Sequence, residues 1–186
     1  MKSTGRLTIR HKIAKRYALA LFDCAEEKRQ IEPIYKNLTM ISQWLDRSED
    51  LQALFKNPEF PTKNLRVVLE TLFKDSINPL ASQFIYLLAR HDRLDILKEI
   101  CLEFEKFYFE YKEILRVKII GAKELKNAQL DAITKRLKLR FKKDIVYDLE
   151  INPELIGGFK IQAGDSIYDF SVQNQLAKFK KHILSN

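Results

Sequence analysis

Apolar side chains recur every three or four positions through about the first 115 residues, which is the spacing of amphipathic helices. The pattern predicts six helices, joined by short polar segments. They are marked in turn by Tyr17 and Leu21, Ile34 and Leu38, Leu51 and Phe55, Leu65 and Leu72, Phe84 and Leu88, and Ile100 and Phe104. Amphipathic helices joined by short loops favour a bundle.

The periodicity changes after Glu113, where apolar residues alternate with basic ones from Leu115 to Ile119, as they do in a strand. Next come a predicted helix around Leu130–Phe141, a strand at Ile145–Ile151 and a last helix around Val172–Ile183. The predicted fold class is α+β and mostly α. A six-helix bundle over residues 1–113 precedes a small α/β domain over residues 114–186, with a short sheet and two helices.

The stretch Leu155–Leu176 holds three of the five glycines in the chain. Glycine accepts a positive φ without steric cost, so a Gly-Asp pair between two apolar runs predicts a hairpin turn. The serine that follows the second run is a predicted N-cap for the last helix. The predicted structural motif consists of Gly157, Gly158, Gly164, Asp165, Asp169 and Ser171. It presents no catalytic side chain, which indicates a docking fold.

The charge balance is basic, with a formal net charge of +8 and a pI near 9.4. Such a charge suits an acidic partner: a nucleic acid, an anionic membrane surface or an acidic protein. The basic stretch Lys135–Lys143 is the main candidate for binding phosphates. Neither zinc-ligand spacing nor an aromatic RNA-binding pattern accompanies it, so a solvated or protein-docking helix face is favoured over nucleic-acid binding.

Basic residues also crowd the N-terminus, where six precede the first acid, Asp23. This composition resembles that of a transit peptide. Helical apolar spacing already runs from Ile13 to Ala25, so a basic tail leading into the first helix is favoured over an organellar signal. No apolar run approaches the roughly 18 residues that a membrane span needs.

The sequence predicts no catalytic, cofactor or metal site. His11, His91 and His182 are scattered, with no acid or cysteine at ligand spacing. His91-Asp92 could be taken for a dyad, but a polar loop in which Asp92 caps the sixth predicted helix is favoured.

The spacing of the glycines and of the cysteines likewise predicts no phosphate-binding loop and no metal site. Gly157-Gly158 opens a strand and lacks the lysine and hydroxyl residue that follow the glycines of a phosphate-binding loop. Cys24 and Cys101 match no metal spacing. Each falls on an apolar helix face, which predicts two small buried side chains.

Four segments carry a family resemblance: Ala14–Phe22 (AKRYALALF), Phe55–Pro58 (FKNP), Gln83–Leu94 (QFIYLLARHDRL) and Asn152–Leu176, which begins NPELIGG. In this order they resemble the delta subunit of the bacterial-type ATP synthase, a family homologous to the mitochondrial oligomycin-sensitivity-conferring protein. The resemblance covers nearly the whole chain.

Three positions depart from the family pattern. Phe170 stands between Asp169 and Ser171, where the family usually has a small residue. Gln173 stands where arginine is frequent, and Lys126-Asn127 where a serine or threonine cap is usual. The local contacts around these positions are therefore expected to differ from those of the family.

The resemblance implies a noncatalytic stator subunit, present in one copy per complex. The N-terminal bundle would hold the N-terminal segment of an alpha subunit of the catalytic head. The C-terminal domain would grip the C-terminal ends of b-type stalk subunits, so that rotor torque is coupled to ATP synthesis. Membrane contact would be indirect, at the cytoplasmic face of the bacterial plasma membrane, with an organelle as the less favoured location.

In the family, the groove for the alpha segment lies between the first and fifth helices of the bundle. By position, Tyr17, Leu21, Phe84 and Leu88 are the candidate partner-binding residues, and a place in the bundle core is the alternative for each. The alternative function is that of a basic helical RNA-binding protein in transcription or ribosome assembly.

Overall fold

The computed structural model describes residues 3–56, 77–164 and 166–184. The chain divides into two compact units, Met1–Tyr108 and Phe109–Asn186. The described part is mostly helical and contains a small four-stranded sheet, which confirms the predicted α+β class. The predicted fourth helix, with Leu65 and Leu72, and the predicted turn residue Asp165 lie outside the described residues.

Helices account for the described structure of the first unit. They are α1 (Ser3–Glu27), α2 (Ile31–Arg47), α3 (Glu49–Lys56), α4 (Pro79–Arg90) and α5 (Leu97–Tyr111). Two starts differ from the sequence-based prediction. The first helix begins at Ser3, upstream of the start that the apolar pattern predicts near Ile9, and a 3-10 turn over Leu94–Ile96 occupies the start that the pattern predicts for the last helix.

The interior of this unit is mainly apolar and follows the predicted periodicity. The predicted side of α2 is buried throughout. Phe22 of α1 packs against Phe104 and Phe107 of α5, with ring centroids 5.6 and 5.9 Å apart. Other fully buried side chains are Ile34, Leu38, Ile41, Ile85, Leu88, Leu97 and Ile100.

A polar contact fixes the start of α4. Asn78 Oδ1 accepts a hydrogen bond from the Leu80 backbone N–H at 2.8 Å, and Pro79 occupies the first helical position. The Asn78 N–H in turn donates to Oδ1 of the buried Asn37 at 2.7 Å. The sequence Asn78-Pro79 predicts a cap followed by proline at the first helical position, and the structure confirms this cap and ties it to α2.

Two expectations about the first unit are wrong. Cys101 is buried as predicted, but Cys24 is exposed. Cys24 comes one residue before the buried Ala25, and one residue turns an α-helix by about 100°, away from the core. Asp92 does not cap the helix that follows, because its φ of 52° places it in the left-handed turn that ends α4.

The described part of the second unit contains four strands and two helices. Its elements are β1 (Ile114–Gly121), α6 (Asn127–Phe141), β2 (Asp144–Ile151), β3 (Phe159–Ala163), β4 (Ser166–Asp169) and α7 (Val172–Leu184). The strand order in the sheet is β2-β1-β3-β4. The β1 and β2 strands are parallel and joined through α6, whereas β3 pairs antiparallel with both β1 and β4.

Helix α6 covers one face of this sheet. Its buried residues Leu130, Ile133 and Leu137 pack with Ile119 of β1 and Ile161 of β3. Leu115, Leu125, Phe141, Phe159 and Tyr168 border this core and are partly buried. The buried residues of α6 repeat at three- and four-residue spacing, as on the buried side of an amphipathic helix.

The described residues include no helix long and apolar enough to cross a membrane.

Candidate docking surfaces

A cleft of about 420 Å³ opens on α1 in the first unit. Its walls are Ile13, Arg16, Tyr17 and Ala20 of α1 and Arg93 from the turn after α4. The Tyr17 ring meets the Phe84 ring of α4 edge-on, with centroids 6.4 Å apart. The contact brings α1 and α4 together and leaves apolar and cationic groups at the surface beside it.

The four predicted partner-binding residues take different places in this region. Tyr17 is half-buried and lines the cleft. Phe84 is buried beneath it, at 7% exposure. Leu21 and Leu88 have exposures of 2% and 0%, so they belong to the packed interior of the unit. Of the four, only Tyr17 presents substantial surface.

Two residues that sequence reasoning did not select are exposed in this region. Cys24 is four residues after Ala20 and seven after Tyr17, which places it on the same side of α1 as the cleft. Leu87, on α4, is 43% exposed although it follows the buried Phe84 by only three residues. Apolar periodicity alone could not separate Leu87 from its buried neighbour Leu88.

The glycine motif of the second unit depends on close backbone approach. Gly158 has a φ of 81°, and a Cβ added there would come within 2.4 Å of the Phe170 carbonyl oxygen. Gly157 accepts a hydrogen bond from the Val172 N–H at 3.0 Å through its carbonyl oxygen. Gly164 has a φ of 58° at the hairpin, where Ala163 of β3 pairs with Ser166 of β4. The motif joins the hairpin to the start of α7.

Asp169 and Ser171 hold the same junction. The Ser171 N–H donates to Asp169 Oδ1 at 2.8 Å, and Ser171 Oγ accepts from the Asn174 N–H at 3.3 Å. Partial burial raises the pKa of Asp169, but the hydrogen bonds from Ser171 and the Lys160 ammonium, 3.3 Å away, outweigh it and lower the pKa below its ordinary value. Ser171 caps α7 as predicted.

Helix α7 leaves an apolar stripe uncovered. Val172, Leu176 and Phe179 repeat at four- and three-residue spacing and are 40%, 61% and 67% exposed. The helix contains Lys178, Lys180 and Lys181 and no acidic residue. An exposed apolar stripe on a basic helix is the chemistry of a protein-docking surface for an acidic amphipathic partner. Val172, Leu176 and Phe179 are called the α7 stripe below.

Phe170, the departure from the family pattern, forms part of a second cleft. Its ring lies 5.3 Å from that of Phe159, and both line a cavity of about 540 Å³ between α6 and the sheet. Arg136 and Arg140 stand at the same cavity, and the Arg140 guanidinium lies 4.9 Å from the centroid of the Tyr168 ring. The cleft has an apolar lining and a cationic rim.

The basic stretch 135–143 is partly engaged within the unit. Lys138 pairs with Asp144 at 2.8 Å, and Arg140 stacks on Tyr168. Lys142, with a φ of 55°, ends α6 in a left-handed turn. These contacts support the interpretation of the stretch as a helix face of the folded unit.

At the N-terminal end of α6, a side chain within the helix takes over the role of the capping serine or threonine. Lys126 has no side-chain acceptor, but Gln129 Oε1 accepts from the Lys126 N–H at 3.0 Å. The Lys126 carbonyl oxygen accepts from the N–H groups of Gln129 and Leu130. The helix therefore begins properly without the family serine or threonine.

Groups of three or more histidine, cysteine, aspartate or glutamate side chains placed to hold a metal ion do not occur in the described ranges. The buried Cys101 thiol has its pKa raised to about 12 by burial, which removes the thiolate that nucleophilic or metal chemistry requires.

This chain is similar in sequence to a family of known proteins. The family model described as ATP synthase delta (OSCP) subunit matches residues 13–183. The ATP synthase subunit delta of Carboxydothermus hydrogenoformans is 33% identical over 171 residues, covering 92% of this chain and 96% of the relative. That of Clostridium botulinum is 29% identical over 170 residues, covering 91% and 95%.

The fold has a solved counterpart as well. A chain of the Toxoplasma gondii mitochondrial ATP synthase hexamer superposes with a TM-score of 0.74 at 20% identity, covering 92% of this chain and 97% of that one. None of these matches supports the RNA-binding alternative. The resemblance carried by the four sequence segments is confirmed: the chain belongs to the ATP synthase delta (OSCP) subunit family.

Proposed function

We propose that this chain is a noncatalytic stator subunit of a rotary, proton-translocating ATP synthase. In this role it links the alpha subunits of the catalytic head to the b-type peripheral stalk, so that the head does not turn with the rotor. Membership of the ATP synthase delta (OSCP) subunit family supports a place in the ATP synthase complex. The observation that carries the two-ended role is that each compact unit presents its own exposed apolar surface.

The first unit, in this proposal, docks the head. An amphipathic N-terminal segment of an alpha subunit lies along α1 beside α4 and contacts Tyr17, Ala20 and Leu87. This is helix-in-groove recognition, in which apolar anchors at three- and four-residue spacing enter a groove between helices. Leu21, Phe84 and Leu88 support the groove from beneath.

The second unit docks the stalk. The C-terminal ends of b-type subunits lie on the α7 stripe, where exposed Leu176 and Phe179 supply apolar contacts and Lys178 and Lys180 attract carboxylates. The division of labour follows the predicted domains, residues 1–113 and 114–186. One copy serves each complex, and contact with the membrane is indirect, at the cytoplasmic face of a bacterial plasma membrane.

A pair of surface variants tests this division in the full chain. Ala20→Asp should weaken binding to the isolated head and leave stalk binding unchanged, because it places a carboxylate in the α1 cleft. Leu176→Asp should do the reverse. Both positions are exposed, so both variants should keep the circular-dichroism spectrum of the parent. If either substitution weakens binding at both ends, the two-ended proposal is refuted.

A further inference from the structure

Strand β2 is an edge strand with an unusual surface. It lies at one end of the sheet order and pairs with β1 in continuous register over its eight residues. Tyr147, Leu149 and Ile151 share a face with Ile145, because side chains two apart point the same way. Ile145 is buried beneath α6, but Leu149 and Ile151 are 53% and 55% exposed. The apolar layer of the unit thus continues to the edge and stops there uncovered within the described residues.

The opposite face of β2 is acidic. Arg116 of β1 donates to Asp148 through Nε at 2.8 Å and Nη2 at 3.2 Å, and Lys118 of β1 pairs with Glu150. The hydrogen bond from Arg116 lowers the pKa of Asp148, which keeps this carboxylate ionised. Both carboxylates remain about half exposed, so their outer sides are open to a second cation.

Edge strands of folded proteins are normally protected from further pairing by charged side chains, most often lysine, by proline or by a bulge. Residues Asp144–Ile151 contain no lysine, arginine or proline, and the register with β1 shows no bulge. The two cations that balance Asp148 and Glu150 stand on β1, on the inner side. The charged side chains of β2 are all acidic, so they oppose pairing with an acidic strand but not with a strand that carries basic residues.

We propose that β2 is a docking edge for an extended segment of a partner protein, which adds to the sheet as a fifth strand beside β2. Its side chains alternate between apolar and basic. The apolar ones cover Tyr147, Leu149 and Ile151, and the basic ones meet the outer sides of Asp148 and Glu150. Strand β1 already has this alternation, with Val117 and Ile119 on one face and Arg116 and Lys118 on the other. Strand addition gives affinity through main-chain hydrogen bonds and selectivity through alternate side chains.

A second copy of this chain is not a suitable partner for the edge of β2. Two β2 strands side by side would set the carboxylates of one copy beside those of the other, and like charges opposite each other destabilise a strand pair. The partner strand must be basic on that face. This site shares no residue with the α7 stripe or with the α1 cleft, so it adds an interaction to the proposed stator role.

The test uses the full chain and two capped synthetic peptides, one of alternating valine and lysine and one of alternating valine and glutamate. The valine–lysine peptide should bind saturably and slow hydrogen exchange of amides in residues 144–151. Leu149→Lys should weaken it at least about tenfold, because it adds a like charge and removes an apolar contact. Ile167→Lys is the matched control, since Ile167 is 66% exposed on the other edge strand, β4.

Several results would overturn the assignment. Equal binding of the valine–glutamate peptide would remove the charge argument. Protection of β4 instead of β2, or equal loss in the Ile167→Lys control, would move the site elsewhere or make the contact nonspecific. Concentration-dependent dimerisation of the protein that Leu149→Lys abolishes would show that a second copy occupies the edge.

Discussion

Gly158 lies so close to Phe170 that a Cβ built on it would stand 2.4 Å from the Phe170 carbonyl oxygen. The clash would be with a backbone atom, so rotation of a side chain could not relieve it. Phe170 itself is tied to β3, since its N–H donates to the Phe159 carbonyl oxygen at 2.9 Å. The glycine is therefore required by the way the chain turns from the hairpin into α7.

The first prediction follows from this contact. Gly158→Ala should destabilise the second unit by more than the roughly 1–2 kcal/mol that a left-handed conformation costs a residue with a Cβ. Gly164→Ala is the control, because its φ of 58° is similarly left-handed but its Cβ would meet nothing within 4 Å. Hydrogen exchange of the β3 and β4 amides measures both variants. Equal effects would show that the close approach to Phe170 does not matter.

The second prediction concerns acid stability. The pKa of Asp169 is lowered in the folded protein, so its carboxylate stabilises the second unit above the ordinary aspartate pKa of about 4. This contribution is lost as the pH falls from there through the lowered pKa. Asp169→Asn should therefore lower stability at pH 7 and make it less dependent on pH between about 5 and 2. Denaturant unfolding across this range is the measurement, with the exposed Asp131→Asn as control.

The third prediction compares a buried leucine of the first unit with an exposed one. Leu21→Asp should unfold this unit, because it places a charge at a 2%-exposed core position. Leu87→Asp, at a 43%-exposed position, should leave thermal unfolding nearly unchanged and weaken only docking of the head segment. A loss of head binding by Leu21→Asp is thus evidence about folding. If Leu87→Asp leaves head binding intact, α4 does not contribute to the groove.

Thiol reactivity supplies a fourth prediction. Cys24 is exposed and should react with a maleimide in the native protein, whereas Cys101, buried and with a pKa of about 12, should react only after unfolding. Mass spectrometry of tryptic peptides distinguishes the two sites. Labelling of Cys101 at the same rate in native conditions would show that the α5 core opens readily.

Much of the fold could be predicted from the sequence, because the spacing of the apolar residues matches the helix or strand that each segment forms. The switch near Glu113 from helical to alternating spacing marks the start of β1, and the Ser171 cap follows from residue type alone. Helix ends were harder to locate. Arg29, Asp92, Glu113 and Lys142 adopt positive φ where glycine is usual, so no residue signal marks these ends.

The docking surfaces could be predicted only in part. A helical period shows which side of a helix is apolar but not where the packed core ends. Leu88 and Leu87 are adjacent on α4, yet one is fully buried and the other 43% exposed. The exposed apolar edge of β2 could not be predicted from the sequence either. It arises because α6 covers Ile145 and does not cover Leu149.

The two-ended stator role is tested most directly by a titration of the full chain, labelled with an environment-sensitive dye at Cys24. The titrant is a synthetic N-terminal segment of the head alpha subunit, added to the parent, to Ala20→Asp and to Leu176→Asp. We expect saturable binding by the parent and by Leu176→Asp that changes little with salt, and loss of binding by Ala20→Asp. Absence of a saturable change in the parent, or loss of binding through Leu176→Asp, would contradict the assignment of the α1 cleft to the head.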